Sequence, residues 1–349
     1  MEALQLRYRE LSLSAQTVYA ELADQVQSQE VQTSLATLSG AFHKRRLKGR
    51  EYWYFGYRDL DSAGRMIYIG PDTERVQTLV RRFKEQKHAG TVVPQANAAI
   101  ALGCESTLPK HFKLIKRLAD YGLFRAGGIL VGTHAFLAYG NMLGVHWSDG
   151  GRTLDVDFAH AGNNVSLALP LDLQINVHSA LESLEMGLLP ITQFGGKTGA
   201  QYRNPQDPEL RLDFLTSMHR GDTLVVVPRL NIALEPLKFM EFSLEGTVQG
   251  CVLSRDGACT VNLPAPERFA VHKIIVYGER PVAQRTKSTK DLLQAAALFS
   301  YFIKTGRWHE ALAAWSDAAN RGPGWRKRLT QGRTALVQLA PELASIPEV

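Results

Sequence analysis

A change in hydrophobic periodicity between residues 127 and 159 constrains the fold of this chain more than any other feature of its sequence. An apolar run ending at Val131 has the character of a short buried strand, the stretch AFLAYGNML that follows is helical, and TLDVDFA alternates as a strand does. A strand, a helix and a second strand in this order are typical of a sheet covered by helices. We therefore predict an α/β core that starts near residue 120.

The rest of the sequence divides into segments around this core. The predicted parts are an N-terminal helical segment (1–40), a basic hairpin and helical linker (41–119), the core (120–263) and a C-terminal helical domain (264–349). The first part carries an apolar stripe typical of a docking or dimerisation helix. In the second part EYWYFGYRDL and RMIYIG form a predicted hairpin, and in the core KFMEFSLEG is assigned to β structure. The expected fold class is α/β (α+β): a mixed sheet with an N-terminal helix and hairpin extension and a C-terminal helical domain.

Composition excludes several classes of protein. With 45% hydrophobic and 21% charged residues in a chain of 349, the protein is neither collagenous nor disordered. Its uncharged apolar runs are shorter than the ~20 residues of a membrane span, and its N-terminus lacks the layout of a secretory signal. We expect a cytoplasmic protein with no membrane segment. The cysteines form no metal-binding pair and are expected to be core thiols: Cys104, Cys251 and Cys259.

Positive charge is concentrated in one short region. Residues 41–95 contain twelve Lys and Arg against six Asp and Glu, whereas residues 1–40 contain two against five. The densest part, HKRRLKGR at 43–50, precedes a cluster of aromatic residues: Tyr52, Trp53, Tyr54, Phe55 and Tyr57. Basic residues beside aromatics suit a surface that follows a nucleic-acid backbone and stacks its bases. A solvated charged face, with the aromatics used for packing, is the alternative interpretation.

Two aspartates in the predicted strand TLDVDFA indicate metal chemistry. Residues i and i+2 of a strand project from the same face, so Asp155 and Asp157 would lie side by side and repel each other unless a cation lies between them. Hard oxygen ligands of this kind suit Mg²⁺, which proteins hold with one or two carboxylates together with substrate phosphates. The alternative is structural, with one Asp exposed at the strand end and the other capping a turn.

Elements before and after this pair favour the metal interpretation. Upstream, the predicted strand turns at Gly132 and Thr133 into a helix, whose N-terminal N–H groups and hydroxyl would favour a phosphate. Downstream, Asp213 lies between apolar residues in the predicted strand LRLDFLT. If that strand neighbours TLDVDFA, all three carboxylates converge on one metal site.

Together these elements resemble the nucleotidyltransferase fold of the DNA polymerase β superfamily. Its signature is an apolar residue before a Gly-Gly/Ser turn, a strand of the form Dh[DE]h and a strand of the form hDh, where h is apolar. The matching segments, with Thr in place of the usual Ser or Gly, are Val131-Gly132-Thr133, Asp155-Val156-Asp157-Phe158 and Leu212-Asp213-Phe214. The chain is also similar to a poorly characterised bacterial family with this fold. Residues 266–296 look like the helical region of minimal, toxin-type nucleotidyltransferases.

The resemblance implies a metal-dependent nucleotidyltransferase that uses Mg²⁺ or Mn²⁺ as cofactor and an NTP as substrate. In that superfamily metal ions bridge three carboxylates and the NTP phosphates, which assigns catalysis and metal binding to Asp155, Asp157 and Asp213. The implied nucleotide-binding residues are Gly132 and Thr133, which would cradle the phosphates, Lys273, which would hold them, and Lys290 and Asp291 at the edge of the site.

The acceptor hydroxyl is not specified by these residues. The basic segment and the toxin-type likeness favour RNA, in particular tRNA 3′ ends, while a protein hydroxyl or a small molecule is the enzymatic alternative. A toxin-type protein would also need a neutralising protein partner, for which the acidic N-terminal helix is a candidate docking site. Two non-enzymatic hypotheses remain: a catalytically inactive nucleotide-binding regulator and a plain RNA-binding module.

Overall fold

The computed structural model describes residues 7–36, 40–47, 49–58, 64–85, 92–149, 151, 153–161, 176–192, 198–218, 224–280 and 285–348. Its strands are β1 (Tyr8–Glu10), β2 (Gly40–Leu47), β3 (Arg50–Arg58), β4 (Gly64–Pro71), β5 (Ile129–Val131), β6 (Val145–Trp147), β7 (Asp155–Ala159), β8 (Leu189–Thr192), β9 (Thr198–Asn204), β10 (Asp207–Ser217), β11 (Val225–Val227), β12 (Ile232–Leu237), β13 (Thr247–Ser254) and β14 (Gly257–Pro264). Its helices are α1 (Leu13–Ala36), α2 (Glu74–Glu85), α3 (Val92–Ala101), α4 (Pro109–Asp120), α5 (Gly132–Met142), α6 (Val177–Glu182), α7 (Met240–Leu244), α8 (Pro266–Glu279), α9 (Arg285–Lys304), α10 (Trp308–Asn320) and α11 (Pro323–Leu339).

The central sheet is mixed and contains the strands predicted for the core. Its strand order is β11-β12-β10-β7-β5, with β10 parallel to both β7 and β12, and β5 antiparallel to β7. β9 pairs antiparallel with both β10 and β8. Helices pack on this sheet, so the predicted α/β class with a mixed-sheet core is confirmed.

One face of the central strands is apolar. Val156 and Phe158 of β7 and Leu212 and Phe214 of β10 are buried, and the two Phe rings stack with their centroids 5.6 Å apart. Burying each such side chain stabilises the fold by about 1.5–3 kcal/mol. Because strand residues alternate between faces, the acidic residues between these apolar ones lie on the other face.

The N-terminal helix docks on its own chain. α1 packs against α3 and β14, and Leu22 and Val26 are buried in one cluster with side chains of the β13–β14 hairpin. β1, which the sequence pattern does not predict, pairs antiparallel with β6. The apolar stripe that predicted a docking helix is therefore used in an intramolecular contact.

The predicted hairpin is confirmed and belongs to an antiparallel sheet with the order β2-β3-β4. Residues 43–47 of the basic segment lie in β2, a strand that periodicity does not reveal because Lys and Arg occupy both alternating positions. Residues 61–63 of the hairpin turn lie outside the described residues. The small sheet buries Phe55 completely, and the Phe55 ring lies 5.1 Å from that of Phe42.

The chain beyond Pro266 is helical, as predicted, but the assignment of KFMEFSLEG to β structure is wrong. This segment contains the short helix α7. Met240, Phe242 and Ser243 are all buried, which one helical turn permits and an alternating strand does not. Phe242 packs near Trp325 of α11, with 5.9 Å between the ring centroids.

Glycines allow helices α8 and α11 to pack at close range. A Cβ atom at Gly332 of α11 would collide with the carbonyl oxygen of Ile274 in α8, and a Cβ at Gly278 of α8 would collide with the backbone of Arg328. Substitution at either position would force the helices apart. The contact matters for the site described below because α8 forms one of its walls.

The remaining structural expectations concern cysteines, membranes and domain limits. All three cysteines are buried free thiols, as predicted. In the part of the chain that the structure describes, no helix combines the length and the apolar character needed to cross a membrane. The division into four parts stays a prediction.

Candidate active site

Three carboxylates lie together on the polar face of the central sheet. β7 and β10 are parallel neighbours, and their register places Asp157 opposite Asp213 and Asp155 opposite Arg211. Adjacent strands are about 4.7–4.9 Å apart, so Asp157 and Asp213 project side by side. The Nε of Arg211 lies 4.0 Å from the Oδ1 of Asp155. All three carboxylates are half-buried and line one cleft of about 730 Å³.

A glycine turn lies directly beside these carboxylates. β5 ends at Val131, which is opposite Asp157 in the sheet, and α5 begins at Gly132 with a φ of +64°. A Cβ atom at Gly132 would collide with the Oδ2 of Asp157, so only glycine fits both the backbone conformation and the space. Thr133 is buried and its Oγ1 accepts a hydrogen bond from Gln294 Nε2 at 3.3 Å. The N-terminus of α5 therefore opens onto the same cleft as the carboxylates.

A cationic wall faces the carboxylates from helices α8 and α9. Asp291 is buried, and its two oxygens contact Lys273 Nζ at 2.7 Å and an Arg280 guanidinium nitrogen at 2.6 Å. Asp291 thus positions two cations rather than facing an anionic ligand itself. Burial lowers the pKa of Lys290, and the neighbouring Lys273 lowers it further, while the charges of Asp157, Asp291 and Asp155 raise it.

All residues predicted for the site line this one cleft, although they are spread over more than 150 positions of the chain. They are Gly132, Thr133, Asp155, Asp157, Asp213, Lys273, Lys290 and Asp291. The cleft is also lined by residues that the sequence reasoning missed. Gln201 donates a hydrogen bond from Nε2 to Glu235 Oε2 at 2.8 Å, and Gln201 lies opposite Asp213 in the β9–β10 register. Glu235 is flanked by apolar residues in IALEPL, the same pattern that drew attention to Asp213.

The donor set of the cleft suits a hard divalent cation together with phosphate. In the part of the chain that the structure describes, no group of three or more His, Cys, Asp or Glu side chains is arranged as a complete metal site. Mg²⁺ commonly takes one or two carboxylates and completes its shell with waters and substrate phosphates. Because Gly132 has no side chain, the carboxylate of Asp157 lies directly against the first turn of α5, beside the N–H groups that would bind such a phosphate.

A second cavity meets the cleft at Asp155. It has a volume of about 910 Å³ and shares Thr153, Asp155 and Lys290 with the cleft. His111 and His134 line it, with 3.1 Å between His111 Nδ1 and His134 Nε2. Two imidazole nitrogens this close need one hydrogen between them, which one ring donates and the other accepts. Two neutral rings meet this requirement.

Buried histidines make the stability of the protein sensitive to acid. Burial lowers the pKa of His111 to about 4 and that of His134 to about 3, and burial also lowers the pKa of His160. In the unfolded chain these groups titrate near 6.5. Below pH 6.5 the unfolded state therefore takes up protons that the folded state does not, and stability falls as the pH falls.

We expect the free energy of unfolding to fall between pH 7.5 and 5.5 by up to about 1.4 kcal/mol per pH unit for each of these histidines. Urea denaturation at pH 7.5, 6.5 and 5.5 measures the effect. The variant His309→Gln removes an exposed histidine of α10 and should leave the slope unchanged. A free energy that stays constant over this range would contradict the assignment of neutral buried histidines.

One family model matches more than half of the chain. A family model described as nucleotidyltransferase matches residues 110–320, which is 211 of the 349 residues and includes every residue predicted for the site. Among solved structures, the chain is similar to an antigenic nucleotidyltransferase-like protein from Paracoccidioides brasiliensis, with 16% sequence identity, 68% of this chain and 92% of that chain covered, and a TM-score of 0.32. No curated protein has a significantly similar sequence.

Proposed function

The chain belongs to the nucleotidyltransferase family, and we propose that it transfers a nucleoside monophosphate from an NTP to an acceptor hydroxyl with the help of Mg²⁺ or Mn²⁺. The observation that carries this proposal is the register of the sheet, in which Asp157 lies opposite Asp213 and next to the Gly132 turn. A metal-bound triphosphate needs carboxylates to bind the metal and a helix N-terminus to bind phosphate, and this cleft contains both.

In this proposal different residues of the cleft bind the metal and the phosphates. Asp155 and Asp157 would hold the metal, and the N–H groups at the start of α5 would donate hydrogen bonds to phosphate oxygens. Lys273, kept in place by Asp291, would balance the charge of the triphosphate. When bound, the metal would neutralise phosphate charge and lower the pKa of the acceptor hydroxyl.

The transfer step then follows from the position of Asp213. The acceptor oxygen forms a bond to the α-phosphorus, and the bond from that phosphorus to the bridging oxygen breaks, so that pyrophosphate leaves with the electron pair. Asp213, beside Asp157, would complete the metal site and take the proton of the acceptor hydroxyl.

The direct test is incubation of purified protein with each α-labelled NTP and Mg²⁺ or Mn²⁺, separately with total RNA and with a protein extract. We expect label in one acceptor fraction for the wild type and none for the double variant Asp155→Ala/Asp157→Ala. Label in a fraction identifies the acceptor class. Binding of NTP without transfer to any acceptor would overturn the proposal and favour a nucleotide-binding regulator.

The cationic wall gives a second test within the same cleft. The variant Lys273→Met should weaken NTP binding by about 10- to 100-fold, because a charge-assisted hydrogen bond contributes about 1.5–3 kcal/mol. Isothermal titration calorimetry with a non-hydrolysable NTP analogue measures the change. Lys327→Met, which removes an exposed lysine of α11, is the matched control and should bind as the wild type does. If Lys273→Met and Lys327→Met bind the analogue with equal affinity, Lys273 does not contribute to nucleotide binding.

A further inference from the structure

The small sheet presents one face on which three tyrosines lie half-buried or exposed. In its register His43 of β2 lies opposite Tyr54 of β3, which lies opposite Tyr68 of β4, and Arg45 lies opposite Tyr52. Directly paired residues of an antiparallel sheet share a face, and so do positions i and i+2. We define the tyrosine face as the surface formed by His43, Arg45, Arg50, Tyr52, Tyr54 and Tyr68.

The rings on the tyrosine face are close together and accessible. Tyr68 is 54% exposed, and its ring centroid lies 5.5 Å from that of Tyr54 and 6.1 Å from that of Tyr52. The Arg45 guanidinium lies 5.8 Å from the centre of the Tyr54 ring. Three neighbouring rings at the surface of a sheet form a continuous platform with a cation beside it.

The aromatic residues that stabilise the fold lie on the opposite face of the same sheet. Phe55 is fully buried there, and Trp53 donates a hydrogen bond from Nε1 to Asp72 Oδ1 at 2.7 Å. Lys44, on that face, is neutralised by Asp72 and Glu51 at 2.7 and 3.0 Å. Packing and charge balance therefore explain one face of the sheet and leave the tyrosine face unexplained.

The tyrosine face carries positive charge that no acidic side chain described in the structure balances. None of its residues is Asp or Glu, and among the described side chains no carboxylate oxygen lies within 4.0 Å of Arg45 or Arg50. The surrounding segment, residues 41–95, has a net charge of +6, from twelve basic and six acidic residues. A polyanion with flat apolar groups is the ligand chemistry that such a surface complements.

We propose that the tyrosine face binds single-stranded RNA, with bases stacked on Tyr52, Tyr54 and Tyr68 and phosphates beside Arg45 and Arg50. Unpaired bases can reach the rings of an open sheet, whereas the bases of a duplex cannot. The tyrosine hydroxyls and the His43 ring add hydrogen-bonding groups at the same surface, which suits the 2′-hydroxyl of RNA. RNA binding by this face does not depend on the proposed function. A role of the bound RNA as the source of the acceptor hydroxyl rests on the proposed function.

The test is the fluorescence anisotropy of a labelled, unstructured 12-nucleotide RNA titrated with the full chain. Tyr68→Ala and Tyr54→Ala should each weaken binding by about 5- to 100-fold, because stacking of one base contributes about 1–3 kcal/mol. Tyr54→Phe keeps the ring and should retain most of the affinity. Tyr121→Ala, at a tyrosine that is 37% exposed beyond the end of α4, should bind as the wild type does.

Charge and ligand class are tested in the same assay. Affinity should fall between 50 and 200 mM salt, and Arg45→Gln should lower the slope of log affinity against log salt by about 0.7. Tighter binding of DNA of the same sequence, or of a polyglutamate peptide, would overturn the inference, as would affinity that does not depend on the tyrosines. Asp256→Ala, at an exposed acid between β13 and β14, should bind RNA as the wild type does. RNA binding without label transfer to any acceptor would refute the proposed function and leave this inference standing.

Discussion

Replacing Asp157 with alanine should reduce nucleotidyl transfer by on the order of 10³-fold while the protein remains folded. Asp157 lies opposite Asp213 and beside Gly132, so in the proposed function it would contact both the metal and the phosphates. Charge stabilisation by a bound metal contributes several kcal/mol to the transition state, and each 1.36 kcal/mol corresponds to about a tenfold change in rate. Removing a ligand forfeits much of that stabilisation.

The same substitution should have little effect on stability. The side chain of Asp157 projects into the cleft, while its neighbours Val156 and Phe158 fill the apolar side of the sheet. We expect the free energy of unfolding to change by less than about 1 kcal/mol, as for positions outside the core. Loss of one of several clustered carboxylates also relieves repulsion between like charges.

Rates of label transfer and urea denaturation of the same preparations measure both effects. Asp256→Ala is the matched control, because Asp256 is an exposed acid in the turn between β13 and β14, away from the cleft. It should keep both full activity and full stability. Transfer by Asp157→Ala at the wild-type rate would refute the assignment of the cleft as the active site.

Replacing Gly132 with alanine should lower transfer by at least about 100-fold. Gly132 has a φ of +64°, and its Cβ would collide with the Oδ2 of Asp157. The carboxylate must therefore move away from its position opposite Asp213 and beside the start of α5. Misplacement of a reacting group by about 1 Å can cost about 100-fold in rate.

Gly306→Ala separates this steric effect from backbone strain. Gly306, between α9 and α10, has a φ of +72°, and a Cβ there would meet nothing within 4 Å. Both variants carry the left-handed penalty of about 1–2 kcal/mol in stability. Only Gly132→Ala should lose activity in the labelled-NTP assay. Similar activity in the two variants would show that the contact with Asp157 has no bearing on transfer.

Much of the fold was predictable because its patterns are local. The strand, helix and strand from residue 127 onward, the aromatic hairpin and the C-terminal helices all appear in the structure where periodicity places them. The prediction failed for KFMEFSLEG, whose apolar residues alternate in sequence but are buried together in one turn of helix. The sequence does not predict β2, because charged residues at successive positions remove the alternation of apolar and polar side chains.

The candidate site was predictable for residues that carry a short pattern and not for those that depend on distant partners. Acidic residues between apolar ones identify Asp157 and Asp213, and the same pattern in IALEPL would have identified Glu235. The hydrogen bond between Glu235 and Gln201 joins β12 and β9, and the sequence of neither strand predicts it. The pairing of His111 with His134 is equally hidden, since the two rings come from different helices.

The sequence by itself determined which side of each strand carries the carboxylates, because the alternation of side chains is a property of a few consecutive residues. Only the tertiary structure decided that Asp157 stands opposite Asp213, since burial of the apolar faces sets the register of two strands more than fifty residues apart. It also decided that Asp291 holds Lys273 over the cleft, since that ion pair exists only where α8 and α9 pack together.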